Sequence, residues 1–322
     1  MAEWEKMGLI FNPSAFEDRP AWMHSFAQAP NVIIFDAFVR VYFCCRPKPD
    51  ALGQFVSYCA FVDFDRMDLT RIVGLAQHPI LPLGGLGMFD EFGTYPVSLA
   101  RDGRDIIAYY GGWTRCESVP FNVSLGMARS HDDGVTFSKL GNGPVLGHAP
   151  DEPFVVTSPK IRRYGDKWFL GYTAGRKWFM DNGRAEIVYK IRMATSDDGV
   201  NWERLNRDII PDQLGTDEAQ ACPDTIYRNG HYHMFFCYRE ATDFRSNKNR
   251  SYRIGYASSK DMLTWERDDT KAGIDISADG WDSGMVAYPT VFELDGTIYM
   301  IYLGNDVGRD GFGLAKLRGD LI

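Results

Sequence analysis

The sequence lacks most of the marks that assign a function at sight. Its 322 residues hold no Gly-rich phosphate loop, no dinucleotide fingerprint and no nucleophile elbow. The chemistries those backbones anchor are therefore not indicated. Cysteine is scarce. The six (Cys44, Cys45, Cys59, Cys116, Cys222 and Cys237) fall mostly in predicted strands and lack metal-ligand spacing. They read as buried free thiols, so neither a catalytic metal nor a cofactor is expected. Positive charge is also lacking. The formal net charge is −8, and no lysine-rich stripe exists to neutralise phosphates, which argues against nucleic-acid binding. No apolar run approaches membrane-spanning length, and no charged segment followed by an apolar stretch opens the chain. The expectation is a cytoplasmic protein in a reducing compartment, with no membrane partner.

What the chain does have is a repeat. Pro30, Pro96, Pro159, Pro223 and Pro289 are separated by 66, 63, 64 and 66 residues. Each opens the same pattern of a short run, a turn and an aromatic-rich strand. Pro159–Tyr172, Pro223–Phe236 and Pro289–Tyr302 show it most clearly. An aromatic fraction of 14% suits strands, and five strand-turn-strand units at one period indicate a repeat architecture. Later in each unit a Ser-x-Asp turn precedes an aromatic residue, as in Ser196–Trp202 and Ser259–Trp265. There the Asp can cap backbone N–H groups while the aromatic packs between sheets. The fifth unit stops early, near Leu317, without a fourth strand. The missing piece matches Trp4, Glu5 and Lys6 at the other end, which repeat Trp202, Glu203, Arg204 and Trp265, Glu266, Arg267.

The prediction is an all-β, five-bladed β-propeller in one domain over residues 1–322. Residues 1–11 supply the outer strand of blade five. The blades fall near 22–80, 81–145, 146–210, 211–270 and 271–322. Pairing of the chain ends closes the ring and removes an exposed sheet edge.

In such a ring the first strand of each blade lines the central channel. The segments approaching strand one and leaving strand two share one face. Ahead of the prolines stand His24, the pair Asp90 and Glu91, Glu152, the pair Asp217 and Glu218, and Asp282. After strand two come Arg46, Arg115, Arg176 and Arg239, and just beyond two of the prolines lie Lys160 and Asp224. Gln28 precedes Pro30, and Trp113, after Gly111 and Gly112, suits either packing within the fold or stacking on a ligand. Convergence of these charges on one mouth would make it a site for a polar ligand, since crowded charges are costly to desolvate. The arginines suit a carboxylate or a phosphate.

On its Pro-centred strand pairs and Asp-box-like turns, the chain resembles the five-bladed propeller glycoside hydrolases of families 43, 32, 62, 68 and 130. The resemblance covers nearly the whole length. The run Cys222, Pro223, Asp224 is similar to the Trp-Ala-Pro-Asp strand of family 43, and Phe89–Pro96 is similar to the Phe-Asp segments of families 32 and 130. There are departures. Ala29 stands where family 43 has its base, Thr157 and Ser158 stand near its acid, and the Asn-Asp-Pro-Asn box of family 32 is absent. The resemblance implies a glycosidase acting on a short, anionic glycan or sugar conjugate. Its acid and base would come from Asp90, Glu152, Asp217, Glu218, Asp224 and Asp282, with blades two and four the best placed. Substrate contacts would come from His24, Gln28, Arg46, Glu91, Trp113, Arg115, Lys160, Arg176 and Arg239. A phosphorylase using inorganic phosphate and a non-catalytic carbohydrate-binding propeller are the alternatives.

Overall fold

The computed structural model describes residues 2–321. They form five four-stranded antiparallel sheets, the blades of a propeller. The innermost strands are Ser25–Ile34, Gly93–Asp102, Val156–Tyr164, Ala219–Arg228 and Ala287–Leu294. Second strands such as Phe38–Arg46 are buried along almost their whole length. That follows from their position between neighbouring blades, where both faces of a sheet are covered, and it explains their near-continuous apolar runs.

Ring closure is as the repeat predicts. Glu3–Phe11 pairs antiparallel with Phe312–Arg318, with Trp4 opposite Leu317 and Lys6 opposite Ala315. Trp4 is buried against Phe235, with ring centroids 5.5 Å apart, and its indole N–H donates to Ala272 O at 3.0 Å. The Ser-x-Asp turns also form. Asp198 accepts the N–H groups of Val200 and Asn201, and Asp261 those of Leu263 and Thr264.

The prolines mark an irregularity that the periodicity alone did not describe. Proline has no N–H to give a ladder, and in all five blades the pairing between strands one and two slips at that point. In four blades the residue before the proline is left-handed: Ala29, Ser158, Cys222 and Tyr288 have φ of 50, 50, 55 and 50°. In blade two the Tyr95–Pro96 bond is cis instead. Each such left-handed residue costs on the order of 1–3 kcal/mol, so the surrounding ring has to hold it in place.

Below this slip the channel is closed. Lys160 reaches across from blade three, donating to Thr290 Oγ1 at 2.5 Å and Pro30 O at 3.3 Å, with Asp224 at 3.8 Å. Asn31 bonds Ser98 and Leu99, Ser98 accepts from Ile161 N, and Asp224 accepts from Val291 N. All five polar side chains of this axial plug are buried. A cavity of about 340 Å³ opens on the far side of it, between Arg162, Tyr164, Thr225 and Phe292.

Candidate functional site

The carboxylates expected at the mouth are not brought together there. Asp90, Glu152, Glu218 and Asp282 are each at most 2% exposed, and each turns to the outer strand of its own blade. Asp90 meets Lys139 at 2.5 Å and the Tyr110 hydroxyl at 3.0 Å. Glu152 meets Arg192, Arg204 and the Tyr172 hydroxyl. Glu218 meets Arg267 at 2.6 Å and accepts from the N–H groups of Gln213 and Leu214. Asp282 meets Lys6 at 2.6 Å and the Tyr302 hydroxyl at 3.0 Å. Burial and the adjacent carboxylate push the phenols of Tyr110, Tyr172 and Tyr302 well above their ordinary range, so they stay protonated as donors. The same acid–base brace thus occurs in four blades, tying the approach of strand one to strand four. Seven residues ahead of its proline, where blades three and five have Glu152 and Asp282, blade one has the fully buried Met23.

The other expected residues divide. Asp224 and Lys160 belong to the axial plug, and Asp224 is also paired with Arg162. Asp217 is exposed and bonded to Lys177 at 2.7 Å. Arg176 is spent on Asp208 and Asp151 O. Arg115 bonds Phe55 O and Asp50, and Glu91 accepts from Gly87 N. The indole of Trp113 fills the space beside Gly93, where a Cβ would lie 1.6 Å from its nitrogen. His24 lies against Arg19, and its backbone N–H donates to Arg46 O. Arg46, Gln28 and Arg239 remain.

These three belong to a cluster drawn from all five blades. Arg46, from blade one, has no carboxylate partner among the described residues. It donates to Gln28 Oε1 at 3.3 Å, lies 4.5 Å over the Phe26 ring, and its Nε has no acceptor. Gln28 in turn donates to Val307 O at 2.6 Å. Burial lowers the basicity of Arg46, and the phenols of Tyr95 and Tyr288 partly offset this. Tyr95 and Tyr288 are the residues just before the prolines of blades two and five. Burial raises the Tyr95 phenol, against the opposing effects of the Tyr288 hydroxyl and Arg46. Blade three contributes Tyr189 and blade four Tyr252, whose hydroxyls are hydrogen-bonded to each other. Tyr252 meets Tyr288 edge-on, with centroids 6.1 Å apart. Arg239 lies beneath, stacked 3.6 Å from the Phe244 ring.

None of these four tyrosines was singled out by sequence reasoning. A signal existed for two of them, since Tyr95 and Tyr288 occupy the position where Ala29 stands in blade one. The slip at each proline points that residue's side chain away from the ladder. Tyr189 lies within the third strand of blade three and Tyr252 just ahead of the third strand of blade four, with no marker in the repeat. Among the described residues no group of three or more His, Cys, Asp or Glu side chains could hold a metal ion. No helix is long and apolar enough to cross a membrane.

No protein-family model matches the chain. Two proteins of Mycobacterium tuberculosis do: "Uncharacterized protein MT1551" from strain CDC 1551 / Oshkosh and "Uncharacterized protein Rv1502" from strain ATCC 25618 / H37Rv. Each is 37% identical over 318 residues, covering 98% of this chain and 99% of the relative. A Beta-1,2-mannobiose phosphorylase from Thermoanaerobacter sp. (strain X514) is 30% identical over 121 residues, 37% of this chain and 35% of that one. Among solved structures, one described as "Glycoside hydrolase" superposes with a TM-score of 0.75 at 15% identity, covering 98% of this chain and 92% of the other. A putative glycoside hydrolase from Parabacteroides distasonis ATCC 8503 gives 0.69 at 15% identity, covering 100% and 97%. These structural likenesses establish the fold, and the sequence relatives establish the kinship. The chain belongs to the family of the mycobacterial proteins MT1551 and Rv1502, built on the five-bladed propeller found in glycoside hydrolases.

Proposed function

We propose that the protein acts on a short, charged glycan or sugar conjugate, whose anionic group is held at the mouth by Arg46. One observation carries this reading. Arg46 is a largely buried guanidinium with an unsatisfied Nε and, among the described residues, no carboxylate partner, set among aromatic rings. A buried charge without a counter-charge is costly, and an anionic ligand would supply it. Aromatic walls suit the apolar faces of a sugar.

The anion can be a sugar carboxylate or a phosphate co-substrate. Hydrolysis by paired carboxylates needs two carboxyl groups flanking one bond, roughly 5–9.5 Å apart. Four of the six candidates are instead buried in separate blades, and a fifth closes the axis. Phosphorolysis needs less from the protein, because phosphate arrives as the nucleophile and only a proton donor is required. The partial similarity to a Beta-1,2-mannobiose phosphorylase favours that second reading.

The test is a panel of aryl glycosides and of neutral and uronate-containing oligosaccharides, each with and without inorganic phosphate. Wild type and Arg46→Met are compared by chromatography and calorimetry. Conversion only with phosphate identifies a phosphorylase, and conversion without it a hydrolase. Saturable binding without conversion, abolished in Arg46→Met, identifies a binding propeller. Binding or conversion unchanged in Arg46→Met overturns the role of Arg46. The absence of both in wild type overturns the whole reading.

A further inference from the structure

The five residues before the five prolines are Ala29, Tyr95, Ser158, Cys222 and Tyr288, with no carboxylate among them. In the cluster around Arg46 the groups that carry a transferable proton are the tyrosine phenols. The Tyr189 and Tyr252 hydroxyls form a direct O–H···O hydrogen bond. Tyr252 is buried and Tyr189 half-buried, so the pair has an inner and an outer phenol. Arg239, 1% exposed, lies with its guanidinium carbon 5.5 Å from both ring centroids. Its N–H groups donate to Ile187 O, Glu240 O and Ala241 O, its Nε has no acceptor, and no carboxylate pairs with it among the described residues. A cation so deeply buried beside two phenols stabilises a phenolate when one forms.

We infer that Tyr189 is the proton donor of this site, with Tyr252 and Arg239 as positioning residues that stabilise its phenolate. The inference rests on the glycan-acting reading above. In the step, the bond from the anomeric carbon to the leaving oxygen breaks, and that oxygen takes the Tyr189 proton. A water or hydrogen phosphate oxygen bonds to the anomeric carbon. The proton of that nucleophile then returns to the phenolate, which leaves Tyr189 as it began. While the charge lasts, Tyr252 donates to it and Arg239 faces it. Tyr252 can do so because burial holds its phenol well above the ordinary range, in the protonated form.

The experiment compares Tyr189→Phe with wild type on two leaving groups attached to the same sugar. One is a sugar alcohol, which needs protonation to depart, and the other is 2,4-dinitrophenolate, which does not. A proton donor is worth roughly 10²–10⁴-fold. Tyr189→Phe is expected to lower kcat on the sugar leaving group at least about 100-fold, with KM unchanged. The loss on the dinitrophenyl glycoside should be under about fivefold. Tyr252→Phe should show the same pattern at smaller amplitude. Equal losses on both leaving groups, or no loss on either, overturn the inference while the glycan-acting reading stands. If wild type converts neither substrate, the proton-donor inference falls, and Arg46→Met calorimetry then reports separately on whether the mouth binds an anion.

Discussion

Two regions of this molecule repeat with the blades, and they repeat differently. Ahead of strand one, four blades carry the same chemistry: an acid tied to a base on the outer strand, with a tyrosine alongside in three of them. Just before the prolines the slip in strand pairing repeats in all five blades while the side chains do not: Ala29, Tyr95, Ser158, Cys222 and Tyr288. A part that each blade needs for its own integrity is kept in kind. A site that faces one ligand from five directions has no reason to be fivefold alike. Uniform chemistry across repeats therefore points to architecture, and divergent side chains at a recurring slip point to function.

The comparison can be broken at the braces first. Removing residues 2–11 takes away both the closing strand and Lys6, so blade five loses its outer edge and its brace together. Expression of this truncation should give little or no cooperatively folding protein, checked by thermal denaturation. Glu152→Ala leaves Arg192 and Arg204 facing an empty buried site, and should cost about 3–5 kcal/mol in urea denaturation. The same applies to Asp90→Ala. Should Asp90→Asn keep full stability and abolish turnover, the brace reading gives way to a catalytic one.

The mouth should respond in the opposite sense. Arg46→Met should weaken anion binding at least about tenfold with a stability change of at most about 1 kcal/mol, since it pairs with no carboxylate. The smallest effect belongs to the capped turns. Backbone N–H groups hold the Asp198 and Asp261 carboxyls below the ordinary carboxylate range. Because these values are depressed on folding, the stability they confer is complete above about pH 4 and is lost as pH falls below it. Urea midpoints measured at pH 6, 4 and 3 should fall over that window, and less steeply in Asp198→Asn with Asp261→Asn.

The fold was legible because its signals are periodic. Prolines, turns and aromatic strands recur together, and Trp4 with Lys6 repeats Trp202 with Arg204 closely enough to place the closing strand. The site was legible in part. Arg46 and Gln28 emerged from their place after strand two and before Pro30, but the acids around them were read as facing inward. Both halves of the brace are visible in the sequence, Glu218 ahead of its proline and Arg267 after Trp265. They lie 49 residues apart, and only the return of strand four beside the approach of strand one joins them. Tyr189 and Tyr252 were illegible for a related reason. Side-chain direction within a third strand or just ahead of one is set by neighbouring blades and carries no local pattern.

The axial plug has a consequence for traffic. With Lys160, Asp224 and Thr290 shutting the ring at its centre, the mouth is a blind well rather than a tunnel. Nothing can be threaded through the propeller. A ligand held at the mouth, as proposed, would enter by that opening, and every product of its conversion would leave by the same one.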